Sequence, residues 1–135
     1  MKRGFTAVIE KTSTGFSGYF NEINGVITVG DSIPEMKENF KESLEDYLDY
    51  LKFKGNEVPN IKDVEITYTV DMEQFFEYYD VINKSAFAKY IDINPSLFRQ
   101  YIKGLTKLSD KKMLQITDGL HKLANDISDI VLITN

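Results

Sequence analysis

The stretch from Asn94 to Lys103 carries the side chains of this chain that are best suited to binding chemistry. Its polar residues are Asn94, Ser96, Arg99, Gln100 and Lys103. Arginine can donate two hydrogen bonds to guanine, glutamine and asparagine can bind adenine, and serine can bind either base. The sequence therefore predicts contacts to base edges in DNA, made by Ser96, Arg99, Gln100 and Asn94.

Basic residues are concentrated around this stretch. From Lys84 to Lys112 there are seven Lys/Arg and two Asp, a balance of +5. Cations grouped in this way can follow a phosphate backbone. The candidate phosphate ligands are Lys84, Lys89, Lys103 and Lys107, and the alternative for each is an ordinary solvated lysine.

The first part of the chain has the opposite charge. Residues 1–79 contain 8 Lys/Arg and 15 Asp/Glu, a balance of −7, whereas residues 80–135 contain 8 and 6, a balance of +2. An acidic surface repels nucleic acid and suits a basic protein partner. Such asymmetry indicates two functions in one chain, although chance segregation of surface charge would give the same numbers.

Few residues are suited to catalysis. The chain has no cysteine and one histidine, His121, which excludes disulfides, thiolate zinc sites and cysteine nucleophiles and leaves no multi-histidine metal site. The strand acids that could converge on a divalent metal are Glu10, Glu65 and Asp71, and Glu65 is expected on a solvent face. We therefore expect no catalytic residues, no bound metal and no cofactor.

Composition places the chain among globular proteins. It is 42% apolar and 27% charged, close to the average for folded domains. No run of 18 apolar residues occurs, and the basic N-terminus meets Glu10 and Lys11 before a signal sequence could form. We expect a cytoplasmic protein without a membrane partner.

Helices are predicted to position the candidate binding residues. Asn83 can cap a helix from Lys84 to Ile91, and Asn94 can cap a second helix that begins at Pro95 and stops before Gly104. Ser109 can cap a last helix. Its apolar positions are Met113, Ile116, Leu120, Leu123 and Ile127. The apolar tail from Val131 to Ile133 is expected to pair with its copy in a second chain.

The two short helices and the turn between them have a recognisable packing pattern. Small Ala88 stands where the helices must touch, and the apolar positions are Phe87, Ile91, Ile93, Phe98 and Tyr101. This pattern resembles the Xre/Cro-like helix-turn-helix over about residues 73–127. The resemblance implies that the helix from Pro95 enters the major groove by its N-terminal part. Asp92 stands where that family usually has glycine, and aspartate tolerates a left-handed φ. The alternative is a helical bundle that matches by coincidence.

The first half alternates in the way that strands do. Strands are predicted over Phe5–Lys11, Phe16–Phe20, Val26–Val29 and Asp63–Val70. A helix begins in the capping box of Ser32 and Glu35. Its apolar stripe is Met36, Phe40, Leu44, Tyr47, Leu48 and Leu51. The order β-β-β-α-β predicts a small sheet with one helix on a face.

A short motif in this half resembles the N-terminal domain of HicB-type antitoxins, over about residues 4–71. Its residues are Gly25, Thr28, Gly30, Asp31, Ser32 and Glu35. Val26 and Pro34 depart from the commoner residues of that family. The resemblance implies a truncated ribonuclease-H-like sheet without nuclease activity, which binds a small basic toxin ribonuclease.

Together these observations predict an α+β protein with two domains. Residues 1–71 would form the HicB-like, toxin-binding domain, and residues 72–135 an all-α helix-turn-helix domain for DNA binding and dimerisation. The predicted function is an antitoxin that neutralises a HicA-like ribonuclease toxin and represses its own promoter, as a homodimer or a higher homo-oligomer on operator DNA. One alternative is an orphan transcriptional regulator whose sheet senses a ligand or dimerises. The other is a metal-dependent nuclease.

Overall fold

The computed structural model describes residues 3–135 and is an α+β fold, as predicted. In chain order the elements are β1 Arg3–Lys11, β2 Phe16–Phe20, β3 Ile27–Gly30, α1 Ile33–Phe53, a 3₁₀ turn Ile61–Asp63, β4 Val64–Val70, α2 Met72–Tyr78, α3 Lys84–Tyr90, α4 Pro95–Ile102 and α5 Asp110–Ile127. The chain divides into two compact units, of which the first ends at Phe75 and the second begins at Phe76. The predicted domain boundary after residue 71 stays a prediction.

The first unit is a four-stranded mixed sheet in the order β3-β2-β1-β4. β1 and β2 are antiparallel, with Ile9 opposite Gly18, and β2 and β3 are antiparallel as well. β4 is parallel to β1, with Phe5 opposite Ile66. A parallel neighbour requires a crossover connection. α1 lies in the connection from β3 to β4. This connection carries the chain from one edge of the sheet to the other, where β4 pairs with β1.

Helix α1 covers one face of this sheet. Its buried residues include Met36, Phe40, Leu44 and Leu48, which confirms four residues of the predicted stripe, and the other two, Tyr47 and Leu51, are half-buried. Gly18 allows the close approach, because a Cβ at that position would lie 2.5 Å from Cζ of Phe40. The core of the first unit is therefore the inner face of β1 and β2 against α1.

The cap of α1 differs in one detail from the predicted capping box. The Glu35 amide donates to Oγ of Ser32 at 3.2 Å, as expected. The Glu35 carboxylate, however, accepts from the amide of Asp31 at 3.1 Å rather than from that of Ser32. The capping box still satisfies two backbone donors at the helix start. The second donor is the amide of Asp31, one residue before the N-cap.

The second unit is helical and is built around three phenylalanine rings. The Phe98 ring lies 5.4 Å from that of Phe76 and 5.8 Å from that of Phe87, measured between ring centroids. α5 joins this core through buried Ile116 and through Gly119, where a Cβ would collide with the side chain of Ile91. The predicted stripe of α5 is only partly correct, because Met113 and Ile127 are exposed.

Helices α1, α3 and α4 end in the same hydrogen-bond pattern. The residue after each C-cap has a positive φ: 89° at Gly55, 59° at Asp92 and 74° at Gly104. After α3, for example, the Asp92 amide donates to the Lys89 carbonyl and the Ile93 amide to the Ala88 carbonyl. These are the two bonds of a Schellman motif, which closes the free carbonyls of a helix end. Asp92 therefore takes the position that glycine takes after the other two helices.

Candidate nucleic-acid interface

Helices α3 and α4 are joined by a turn of four residues, and local capping fixes the start of each helix. The Asn83 side chain accepts from the Ala86 amide at 2.9 Å. Asn94 Oδ1 accepts from the amides of Ser96 and Leu97 at 2.9 and 3.2 Å. Ile91 and Ile93, on either side of Asp92, are buried. The turn is thus held by two side chains in the core and one backbone position in the left-handed region.

The packing of α4 leaves one polar face uncovered. Phe98 and Ile102 are buried. Ser96, Arg99, Gln100 and Lys103 are all exposed. At 100° per residue these four side chains fall within an arc of about 100°. The structure therefore brings together four predicted binding residues on one side of one helix.

One interior position of α4 differs from the prediction. Tyr101 was expected in the core together with Phe98, but Tyr101 is half-buried and Ile102 is buried instead. Ile102 lies one turn after Phe98 on the same side of the helix, which makes it the better core residue. The exposed polar face is not affected by this change.

Two side chains of the polar face are held by hydrogen bonds within the unit. Arg99 Nη1 donates to Oγ of Ser85, on α3, at 2.8 Å. Gln100 Oε1 accepts from Oγ1 of Thr106 at 2.7 Å. An arginine side chain has five N–H donors, so Arg99 keeps further donors for a ligand. With its oxygen bound by Thr106, Gln100 has its two N–H donors left for a ligand.

Asn94 is a weaker candidate for base contact than the sequence indicated. Its side-chain oxygen is bound by two backbone amides of α4, so that the amide group acts chiefly as the helix cap. Bidentate binding of adenine needs both the oxygen and the nitrogen of the amide. The cap therefore withholds one of the two groups that this contact requires.

The four predicted phosphate ligands are all exposed: Lys84, Lys89, Lys103 and Lys107. Lys84 and Lys89 lie at the two ends of α3, Lys103 caps α4, and Lys107 lies in the connection to α5. Successive phosphates are separated along a nucleic-acid backbone. Lysines that come from three segments of the chain therefore suit such a backbone better than they suit a single small anion.

The first unit has a second exposed surface, of a different kind. On β3, Thr28 is buried and donates or accepts a hydrogen bond with Ser43 of α1, whereas Ile27 and Val29 are 77% and 65% exposed. Tyr19 pairs with Ile27 across the strands and is exposed on the same face. β3 thus buries its polar residue and exposes its apolar residues, which is the reverse of a strand whose outer face is solvated.

Charges at the margin of this outer sheet face are acidic. Strand alternation puts Glu10 of β1 and Glu65 of β4 on the same side as Tyr19, and both are exposed. We define the outer sheet face as Val8, Tyr19, Ile27 and Val29 together with these two acids. The exposed apolar side chains lie towards the β3 edge of this face and the two acids lie on β1 and β4. Such a combination of apolar and acidic surface suits a basic protein surface.

The carboxylates considered for metal chemistry are only partly brought together. The parallel register that pairs Ile9 with Val70 leads Glu10 and Asp71 into one shallow cavity, while Glu65 lies at the other end of β4. Asp71 Oδ1 accepts from the amides of Glu73 and Gln74, which makes it the cap of α2. Within residues 3–135 no group of three or more histidines or acids could hold a metal ion.

No family model, no curated protein and no solved structure matches this chain. Within residues 3–135, no helix is long and apolar enough to cross a membrane.

Proposed function

We propose that this protein is a DNA-binding repressor whose first unit binds a small basic toxin protein. The observation that carries the proposal is the polar face of α4. Ser96, Arg99, Gln100 and Lys103 lie side by side and exposed on a helix that a tight turn fixes against α3. A short helix anchored by a preceding one, with base-reading side chains outward, is the arrangement that enters the major groove.

The hydrogen bond of Arg99 within this face supports specific recognition. Arg99 is tied to Ser85, so less side-chain entropy is lost when it binds a base. The oxygen of Gln100 is bound by Thr106, so Gln100, like Asn94, has no free oxygen for the bidentate contact to adenine and is left with its two N–H donors. The lysines of α3, α4 and the following connection contribute sequence-independent contacts to phosphates.

The outer sheet face supports the second part of the proposal. Exposed apolar patches with a charged margin mark protein interaction sites. The excess of 15 acids over 8 bases in residues 1–79 adds a field that speeds encounter with a basic partner. The resemblance to HicB-type antitoxins is the reason to propose a toxin ribonuclease as that partner. The proposal includes a cytoplasmic location, where the protein would meet both a promoter and a co-encoded toxin.

DNA binding is tested by mobility shift of the full chain on its own promoter, with a random duplex of equal length as the reference. We expect specific binding to an inverted repeat, and a specific complex that Arg99→Ala weakens more than it weakens the random complex. Equal weakening on both duplexes would mean that α4 does not read bases. Gln100→Ala gives a second, independent measurement on the same face.

Partner binding is tested with the product of a neighbouring open reading frame that encodes a small basic protein. Val29→Lys places a positive charge, like that of the basic partner, on the apolar edge strand β3 of the outer sheet face and should reduce binding at least tenfold. Phe53→Lys, on exposed Phe53 at the end of α1, is the matched control and should not. A basic neighbour that binds both variants equally would show that this face is not the site.

An orphan regulator is the second candidate function, and the same experiments separate it. It would bind the promoter in the same way but would have no basic neighbour that binds the outer sheet face. A nuclease would instead show magnesium- or manganese-dependent hydrolysis of nucleic acid that is lost in Glu10→Ala and Asp71→Ala. We expect no such hydrolysis.

A further inference from the structure

The connection from β2 to β3 contains a pair of residues that is chemically reactive where a chain is exposed. Asn24 is followed by Gly25, and no other asparagine of this chain has glycine as its next residue. The backbone nitrogen of the residue after an asparagine can attack the side-chain amide carbon and close a five-membered ring. A following glycine favours this attack, because it carries no side chain beside the nitrogen.

The side chain of Asn24 is exposed and has no hydrogen-bond partner among the residues that the structure describes. Other asparagines are held in place. The Asn39 amide nitrogen donates to the Val29 carbonyl at 2.8 Å, and the side-chain oxygens of Asn60 and Asn83 accept from backbone amides at 3.0 and 2.9 Å. Such a bond keeps the amide carbon from turning toward the next nitrogen, whereas the side chain of Asn24 can turn.

The backbone around this pair is equally open. The hydrogen bonds that shape the connection lie before it: the Asn21 amide donates to the Thr6 carbonyl at 3.0 Å, and the Ile23 amide donates to the Phe20 carbonyl at 3.3 Å. Gly25 is exposed with a φ of 83°, and a Cβ at this position would meet nothing within 4 Å. The attacking nitrogen is therefore neither part of a strand nor covered by a packed side chain.

A second pair in the chain shows the opposite environment. Asp118 is followed by Gly119 in helix α5, and an aspartate before glycine closes the same ring with loss of water. Within a helix the glycine nitrogen donates to the carbonyl four residues earlier, and the helical ψ of the preceding residue holds its side chain away from that nitrogen. Gly119 is also buried, with the side chains of Ile91 and Phe87 beside it. This pair is therefore an internal reference for Asn24 and Gly25.

We propose that Asn24 is a site of spontaneous deamidation by way of a cyclic imide. The Gly25 nitrogen gives its proton to a base in the solvent and bonds to Cγ of Asn24. The bond from Cγ to Nδ2 breaks, and Nδ2 leaves as ammonia with a proton taken from the solvent. Water then opens the ring by adding its OH to one ring carbonyl carbon and its hydrogen to the nitrogen. Addition at Cγ gives aspartate, and addition at the main-chain carbonyl carbon gives isoaspartate.

Both products alter the connection that leads into β3. Each replaces a neutral amide by a carboxylate and so adds one negative charge to the net charge of −5. Isoaspartate also lengthens the main chain by one methylene, three residues before Ile27 begins β3. Because β3 is the apolar edge strand of the outer sheet face, deamidation brings an acid into the connection next to that edge. The reaction itself depends on neither DNA binding nor partner binding.

Deamidation is followed on the full chain, kept at pH 8.5 and at pH 6. Trypsin cleaves after Lys and Arg and releases residues 12–37 as one peptide, whose only asparagines are Asn21 and Asn24. Fragmentation in the mass spectrometer should locate at Asn24 a mass gain equal to the difference between O and NH. The gain should appear at least tenfold faster at pH 8.5, because the deprotonated nitrogen attacks. A synthetic peptide of residues 12–37 is the unfolded reference, and the full chain should react at no less than one third of its rate.

Two variants and a second protease test the route. Asn24→Gln should slow the mass gain at this position at least tenfold, since glutamine would have to close a six-membered ring. Asn56→Gln, on an exposed asparagine followed by Glu57, is the matched control and should leave the gain at Asn24 unchanged. A protease that cleaves before aspartate but not before isoaspartate should leave part of the modified chain uncut at position 24, and should still cut fully before Asp118.

A full chain without mass gain at Asn24 would overturn the proposal, because the fold would then protect this residue. A gain at Asn21 in place of Asn24 would overturn it too. Aspartate at position 24 without any isoaspartate would show direct hydrolysis of the side-chain amide and refute the cyclic route. None of these results bears on promoter binding or on the outer sheet face, which are judged by their own assays.

Discussion

On β3 of the first unit, Thr28 is buried and Ile27 and Val29 face solvent, whereas on α4 of the second unit Phe98 is buried and Arg99 and Gln100 face solvent. The strand therefore presents its apolar side outward and the helix its polar side. Apolar surface with acids at its margin suits a protein partner, and a polar, basic surface suits DNA. The difference gives one short chain two exposed surfaces of distinct chemistry, one on each unit.

The largest expected effect tests whether the two units are separate folding units. Phe98 is fully buried between the rings of Phe76 and Phe87, so Phe98→Ala should cost about 3–5 kcal/mol of stability. Hydrogen exchange should show loss of amide protection in α3, α4 and α5. The amides of β1 and β2 should keep theirs.

Phe40→Ala is the matched variant in the first unit. Phe40 is also fully buried, with the Phe20 ring 5.0 Å away, and its removal should have the reverse pattern of protection loss. If either variant removes protection throughout residues 3–135, the two units unfold together and the contrast between them describes surfaces only.

The next effect concerns the polar face of the second unit. Arg99→Ala should cost about 1–3 kcal/mol in specific DNA binding and relax discrimination at one base pair. Lys107→Ala removes the same unit of charge but should weaken all duplexes alike, and should flatten the salt dependence by about 0.9 in slope. Fluorescence anisotropy at several salt concentrations, on operator and random duplexes, measures both.

Both residues are exposed, so neither variant should change stability by more than about 0.5 kcal/mol. Thermal unfolding is the control. If Arg99→Ala and Lys107→Ala lose the same binding affinity on both duplexes, the second unit binds DNA only through its positive charge. The polar face of α4 would then not read a base sequence.

A smaller effect comes from the turn between α3 and α4. Asp92 has a φ of 59° at the position that Gly55 takes after α1 and Gly104 takes after α4. Asp92→Val should cost about 1–2 kcal/mol, because a β-branched residue is disfavoured in the left-handed region. Asp92→Gly should be at least as stable as the wild type. Urea unfolding measures both, and an Asp92→Gly variant that is clearly less stable would show that the carboxylate has a role beyond its backbone conformation.

The sequence predicted best what is decided locally. Ser32, Asn83, Asn94 and Ser109 each cap the helix that they were expected to cap, since a cap needs only the residues of the first turn. The outward position of Arg99 and Gln100 followed in the same way from the helical period. The positive φ at Asp92 agrees with the helix-turn-helix resemblance, in which glycine usually stands at this position.

Features that depend on distant packing were predicted less well. The stripe assigned to α5 was correct for Ile116 but not for Met113 and Ile127, because Ile91 and Phe87 decide which side of α5 is covered. β3 was predicted over Val26–Val29 and runs over Ile27–Gly30, with its polar residue inward, because Thr28 finds a hydrogen-bond partner in Ser43. The hydrogen bonds that join Ser85 to Arg99 and Thr106 to Gln100 could not be predicted from residue spacing alone.

The smallest effect concerns an exposed cluster that links α3 to α5 within the second unit. Lys122 Nζ donates to Oη of Tyr90 at 3.2 Å and to Oδ2 of Asp126 at 3.4 Å. The hydrogen bonds to Tyr90 and Asp126 raise the pKa of Lys122 above its ordinary value of 10.5.

A raised pKa in the folded state means that the charged lysine stabilises the fold at neutral pH, and that this contribution is lost as pH rises through the folded-state pKa. The difference in free energy of unfolding between the wild type and Lys122→Met, measured from pH 8 to pH 12, should therefore narrow once the pH exceeds 10.5. The difference should be small, since the pair is solvent-exposed and screened by salt. A difference that is constant over this range would mean that Lys122 acts through the packing of its aliphatic chain on the Tyr90 ring, 5.1 Å from its Nζ, rather than through its charge.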